Sequence, residues 1–88
     1  SDQYDLSLQI AGMPSDGTAT VRRQIAEQAF VIFHLDDVGR LVGASGIGPG
    51  NTIGRDVKMA EMLIAKKANP PPQTLADPSV ALKALLKG

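Results

Sequence analysis

A chain of 88 residues holds one domain and not two, and at that size folding removes only about 60–65% of the unfolded surface from water, so the stability margin is thin. Nine basic and nine acidic residues cancel, which gives none of the basic field that phosphate backbones require and sets nucleic acid aside. The absence of cysteine removes disulfide frameworks, thiolate nucleophiles and cysteine-based zinc sites, and it suits a reducing, cytoplasmic setting.

The first element is a strand. Tyr4, Leu6, Leu8 and Ile10 alternate with Asp5, Ser7 and Gln9, and period two marks a half-buried strand. Gly12, Pro14, Ser15, Asp16 and Gly17 then make a turn. Thr18 to Ile25 is β-rich and polar on one side at Thr20, Arg22 and Gln24, which reads as a second, edge strand. Gln28 to Leu35 is apolar on both faces and reads as a central strand covered on both sides. Asp36-Asp37-Val38-Gly39 is a hairpin loop by composition, and Arg40 to Ser45 returns as a fourth strand. The run Ala29–Phe33 is far too short to cross a bilayer, so no membrane role is expected, and no signal peptide is visible.

After Gly46-Ile47-Gly48-Pro49-Gly50 the period changes. Ile53, Val57, Ala60 and Ile64 fall on one helical stripe, with Leu63 on its shoulder. Asn51 or Thr52 can cap the first turn, and Lys66 and Lys67 fall in the last turn, where the helix dipole favours cations. Pro70-Pro71-Pro72 forces an extended segment and acts as a rigid connector. Asp77-Pro78-Ser79 opens a short final helix, Ser79–Leu86. The expected fold is α+β: an antiparallel β-meander of about four strands followed by two helices. Its core has little large material beyond Tyr4, Phe30 and Phe33, so packing against another domain or a second copy is expected. A chain that starts at Ser1 and enters a strand almost at once also looks like a cut inside a longer protein.

Each possible site has a plainer competitor. The glycine-rich Gly46–Gly50 invites a phosphate-loop reading. No Lys-Ser/Thr pair follows, however, and Pro49 lacks an N–H, so a flexible strand-to-helix connection is preferred. His34 has no second His or Cys to share a metal and reads as a half-exposed packing residue. Asp36 and Asp37 are turn residues rather than a carboxylate pair. Arg55, Lys58, Lys66 and Lys67 give the long helix a basic outer side. It is either a solvated face or a docking patch for an acidic protein. Met59 and Met62 lie off the main stripe, as contact residues or as lids on the core. No nucleophile–base pair supports a hydrolase.

Three stretches together resemble the C-terminal domain of FAD-dependent NAD(P)H–ferredoxin reductases of oxygenase systems, the putidaredoxin reductase and biphenyl dioxygenase reductase type. The first is Ser1-Asp2-Gln3-Tyr4 leading into Leu6-x-Leu8-Gln9-Ile10-x-Gly12. The second is Phe30-x-x-Phe33-x-Leu35 with Gly39-Arg40-Leu41-Val42-Gly43-Ala44. The third is Leu75-Ala76-Asp77-Pro78-Ser79-Val80-x-Leu82-Lys83-x-Leu85-Leu86. The resemblance implies a parent protein with upstream FAD and NAD(P)H domains that passes electrons to an iron–sulfur ferredoxin. The ferredoxin in turn serves a dioxygenase or a cytochrome P450. It also implies that the segment 1–88 packs on the FAD domain and helps form the ferredoxin docking rim. Ser1, Asp2 and Gln3 are then flavin-proximal, Asn51, Arg55 and Lys58 are partner-docking residues, and the segment alone binds no cofactor or metal. Relatives commonly carry Val-Asn-Arg-Pro after the fourth strand where this chain has Gly46–Asn51, a departure that bears on partner preference. The competing expectation is a free-standing interaction module that dimerises through its sheet.

Overall fold

The computed structural model describes residues 6–86. It is an α+β fold in which four antiparallel strands form one sheet. The strands are β1 (Leu6–Gly12), β2 (Ala19–Ala26), β3 (Ala29–Leu35) and β4 (Leu41–Pro49). They are followed by helices α1 (Gly54–Ala65), α2 (Pro72–Ala76) and α3 (Lys83–Leu86). The spatial order β1-β4-β3-β2 confines the meander to β2, β3 and β4. The first strand crosses over a 3₁₀ turn at Pro14–Asp16 and pairs with β4 instead of β2. The expected edge position of β2 holds, and β3 and β4 share the centre.

Opposed residues in an antiparallel sheet share a face, so the register sorts the side chains. Gln9, Gly46, Val31 and Arg23 form one row, and Ala11, Ala44, Phe33 and Val21 the next. This face is covered by α1 over β1 and β4, and by α2 over β2. Its core unites Val31, Phe33, Leu35, Leu41 and Ala44 with Ile53, Val57, Ala60 and Leu63 of the α1 region, and with Leu75 and Leu82 of the C-terminal segment. Each buried Leu or Val contributes about 1.5–3 kcal/mol.

The other face carries Leu8, Ile47, Phe30 and Gln24 in one row and Ile10, Ser45, Ile32 and Arg22 in the next. The 3₁₀ turn Pro14–Asp16 packs against β3 and β4 at the Gly43 end of this face, and no described α-helix covers the rest. Two expectations are corrected here. The strand β3 is sealed on one side only, with Phe30, Ile32 and His34 half-buried. On β1 the apolar set faces outward: Leu6, Leu8 and Ile10 are 54%, 62% and 57% exposed, while Ser7, Gln9 and Ala11 face the helix.

The glycine-rich run is also structural. Gly46 and Gly48 belong to β4, paired with β1 and β3 rather than forming a flexible connection. A Cβ on Gly46 would meet Val57 Cγ2 at 2.8 Å and Ile53 Cδ1 at 2.9 Å, and one on Gly48 would meet Thr52 Oγ1 at 2.5 Å. These two glycines let α1 lie close on the sheet. The chain then turns at Gly50, whose φ of 56° lies in the left-handed region that glycine accepts.

The helix N-cap is Ile53, without a side-chain cap; Asn51 is exposed in the preceding turn, and the Thr52 hydroxyl donates to the Pro49 carbonyl at 2.7 Å. Helix α1 stops at Ala65, so Lys66 and Lys67 lie beyond its last turn. Lys66 is the C-cap and donates to the Leu86 carbonyl at 2.9 Å, and Lys67 adopts φ 55°. Two findings revise the expected short final helix, Ser79–Leu86. Pro72 opens the short helix α2, since proline suits a first helical position. The stretch from Asp77 to Leu82 is irregular, and only Lys83–Leu86 is helical.

Candidate functional site

Among the described residues, one charged side chain is buried in the covered face: Arg23, at 3% exposure. Its Nε donates to Asp56 Oδ2 of α1 at 3.1 Å. Its Nη1 donates to the Asp77 carbonyl at 2.9 Å, with longer contacts at 3.4 Å to the carbonyls of Thr74 and Leu75. Its Nη2 donates to the Val80 carbonyl at 2.5 Å. A planar guanidinium with five donors can serve several acceptors at once, which a lysine cannot. Arg23 therefore ties the edge strand, α1 and the C-terminal segment together at one point. The sequence contains no local signal for this. Arg23 falls on the inward side of a strand, and its partners lie between 33 and 57 residues away.

Beside Arg23 a cleft of about 320 Å³ opens between α1 and the C-terminal segment, with Arg55, Met59 and Lys83 on its walls. Asn51, Arg55 and Lys58 are all exposed at the start of α1. Arg55 and Lys58, three residues apart, share a helix face. Lys58 pairs with Glu61 at 3.1 Å, and that ion pair is highly exposed, so it contributes little to stability. Lys66 is spent on the C-terminal backbone. The basic face of α1 thus narrows to Arg55 and Lys58, joined across the cleft by Lys83. Met59 packs against the core, whereas Met62 is 43% exposed. Ser1, Asp2 and Gln3 lie outside the described residues.

The remaining sequence candidates serve the fold. His34 Nε2 lies 3.1 Å from Ser45 Oγ on the uncovered face, and burial lowers the His34 pKa. Asp36 Oδ1 accepts from the amides of Val38 and Arg40 at 3.0 and 2.8 Å, closing the hairpin loop. Asp77 Oδ1 accepts from the hydroxyl and amide of Ser79 at 2.6 and 2.9 Å, and these bonds hold its carboxyl below the usual range. Among the described residues no group of three or more His, Asp or Glu is placed to hold a metal. Gly46–Pro49 is committed to the sheet and does not form the phosphate loop its composition invited.

The described residues thus form a sheet closed on one face by helices and pinned there by a buried arginine. A family model described as "Reductase C-terminal" matches residues 1–86. The chain belongs to the reductase C-terminal family. Among its relatives is the ferredoxin–NAD(+) reductase component of the anthranilate 1,2-dioxygenase system of Burkholderia cepacia, 45% identical over 87 residues. That alignment covers 98% of this chain and 20% of the relative. Another is the ferredoxin–NAD(+) reductase component of the p-cumate 2,3-dioxygenase system of Pseudomonas putida, 28% identical over 83 residues, 94% of this chain and 20% of the relative. The chain spans about a fifth of the length of these curated relatives. Membership of the reductase C-terminal family bears out the resemblance drawn from the three sequence stretches. No described helix is long and apolar enough to cross a membrane.

Proposed function

We propose that this chain serves as the C-terminal domain of a cytoplasmic ferredoxin–NAD(P)+ reductase, a flavoprotein component of a ring-hydroxylating dioxygenase or cytochrome P450 system. The observation that carries this reading is the family match over residues 1–86, joined to a relative of that activity at 45% identity across 98% of the chain. In such an enzyme FAD takes hydride from NAD(P)H and releases single electrons to an iron–sulfur ferredoxin. Both nucleotides are assigned to the remainder of the reductase, as the family resemblance implies. The contribution of this domain is positional. Its start, Ser1, Asp2 and Gln3, is the part assigned to the flavin side. Arg55 and Lys58, with Asn51 beside them, form an exposed basic face for an acidic ferredoxin, where charge raises the encounter rate more than the lifetime of the complex.

The test is expression of the full reductase reading frame and of residues 1–88 alone. The full protein should be yellow and reduce its ferredoxin with NADH or NADPH, and the short chain should do neither. Arg55→Glu with Lys58→Glu should raise KM for ferredoxin by about tenfold at low salt, roughly the effect of about 1.4 kcal/mol, and flatten its salt dependence. Turnover with ferricyanide should not change. Flavin bound by residues 1–88 alone would overturn the scaffold reading, and an unchanged KM for ferredoxin would overturn the docking face.

A further inference from the structure

Two cavities border the C-terminal segment, and they differ in what their walls still offer a ligand. One, of about 370 Å³, is lined by Leu63, Pro70, Pro71 and Leu85 with Lys66 and Asn69. Both polar side chains there are already held by the protein's own backbone, Lys66 on the Leu86 carbonyl and Asn69 on the Val38 carbonyl. The other is the cleft of about 320 Å³ beside Arg23. Its size is near the lower end of the range for small-molecule sites.

The charge of this cleft is unbalanced. Arg23, Arg55 and Lys83 line it against a single carboxylate, Asp56. That carboxylate is committed to Arg23 at 3.1 Å. Among the described residues the other ion pair is Lys58–Glu61, so Arg55 and Lys83 have no carboxylate partner. Both are exposed, Arg55 in the first turn of α1 and Lys83 at the start of α3. Between these walls the lining is apolar. Ile25 and Met59 are half-buried against the core, and Leu82 belongs to the core itself. An apolar floor with a few placed charges suits a small molecule that is itself apolar at one end and anionic at the other. A bare inorganic anion would gain nothing from the floor, and a neutral apolar molecule would gain nothing from the cations. A planar carboxylate meets a guanidinium fork in two parallel hydrogen bonds. Met59 favours an aromatic body, since a thioether packs well against a ring.

We propose that this cleft is a binding site for a small aromatic monocarboxylate, with the ring on Ile25, Met59 and Leu82 and the carboxylate held by Arg55 and Lys83. Electron transfer to a ferredoxin does not call for such a site, so the inference goes beyond the reading given under Proposed function. One consequence rests on that reading. A bound carboxylate takes Arg55 out of the basic face and slows encounter with an acidic partner.

Methionine methyl NMR tests the site in the full-length reductase. Met59 lines the cleft, whereas Met62, also on α1, does not. The two methyl signals are identified through Met59→Leu and Met62→Leu. Benzoate is the probe, added at constant ionic strength without ferredoxin. It should move the Met59 signal saturably, with a midpoint of roughly 1 mM for so small a ligand, and leave Met62 in place. Acetate lacks the ring and benzamide lacks the charge, so each should bind about tenfold more weakly or worse. Arg55→Gln combined with Lys83→Gln should weaken benzoate by about tenfold. A native Met62 signal in that double variant shows that its fold is kept. No Met59 shift at about 20 mM benzoate overturns the proposal. Equal movement of Met62 overturns it, and so does acetate or benzamide binding as tightly as benzoate. A double variant that binds benzoate like the native protein has the same force. A Met59 shift with ferredoxin but none with benzoate gives the cleft to the protein partner instead. Ferredoxin reduction by the same preparation reports separately on the reductase reading. A reductase that reduces ferredoxin and ignores benzoate keeps that reading and loses this site alone.

Discussion

Replacing Arg23 with alanine removes the ion pair to Asp56 and the donors to the carbonyls of Asp77 and Val80 in one step. Removing one partner of a buried ion pair costs about 3–5 kcal/mol. The lower end applies here, because the Asp56 side chain keeps 20% of its exposure and can recover some hydration. The carbonyls of Asp77 and Val80 add little, since Asp77 is exposed and Val80 half-buried, and water can reach them. The expected loss is therefore about 3 kcal/mol, a large part of the ~5 kcal/mol that a domain this small has to spare. In urea, with a slope of about 1 kcal/mol/M for a chain of this length, the midpoint should fall by about 3 M. Circular dichroism at neutral pH reads this. Asp56→Ala should cost less, about 1–2 kcal/mol, because Arg23 keeps its four carbonyl contacts. The double variant should lose less than the sum of the two, by about 1 kcal/mol, as expected for groups in direct contact. A midpoint shift under about 0.5 M for Arg23→Ala, with the slope unchanged, would refute the claim that this arginine holds the C-terminal segment to the sheet.

Two further outcomes follow from other parts of the fold. Gly48→Ala should destabilise by about 1–3 kcal/mol, because its Cβ would stand 2.5 Å from Thr52 Oγ1 and 2.9 Å from the Ala29 Cβ. Gly50→Ala meets nothing within 4 Å and should lose only the roughly 1–2 kcal/mol of a left-handed residue; thermal melts of the two variants should rank them in that order, with Thr52→Ala rescuing part of the first only. For His34, burial favours the neutral ring, so its folded pKa lies below the ordinary histidine value of about 6.5. Between those two values the unfolded chain binds more protons than the folded one, and stability rises with pH. Acidification through the window just below pH 6.5 should therefore lower the urea midpoint of the wild type, while His34→Gln should be flatter there. An identical pH profile for the two would remove His34 from that account.

Much of this fold is legible from local pattern. Strand β3 is recognisable because its inward residues, Ala29, Val31, Phe33 and Leu35, are all large or apolar and occur at period two. Helix α1 is recognisable from Val57, Ala60 and Leu63 at helical spacing. What is not legible is the partner of each element and the side it presents. Period two on β1 reveals that two faces differ, but it cannot say which faces α1, and here the helix lies over Ser7 and Gln9. The glycines of β4 look like slack in the chain, because the close approach of Ile53 and Val57 is a tertiary fact. Pro70-Pro71-Pro72 breaks α1 as expected but also starts α2, since the same fixed φ that ends one helix suits the first turn of another. The basic helix face is overcounted in the sequence. Lys66 is drawn onto the Leu86 carbonyl, a contact 20 residues away in sequence that has no signature short of the folded chain.

The apolar surface of β1 and the buried charge of Arg23 are two sides of one constraint. A domain of 88 residues with three aromatic side chains has too little apolar material to build a core on both faces of a four-stranded sheet. It completes one face with α1, α2 and the C-terminal segment. Even there it closes the β2 end with an arginine that collects backbone carbonyls, because the irregular stretch after α2 has carbonyls with no helical partners. Truncation at Ala76 would strip Leu82 from the core and remove the Asp77 and Val80 acceptors of Arg23 together. Such a chain should lose at least as much stability as Arg23→Ala, about 3 kcal/mol or more. Joined to the full reductase, the same truncation should loosen the start of α1 through Asp56, and with it the placement of Arg55 and Lys58. Its KM for ferredoxin should then rise while ferricyanide turnover holds. A truncated reductase with native ferredoxin kinetics would show that α1 keeps its position without the arginine clamp.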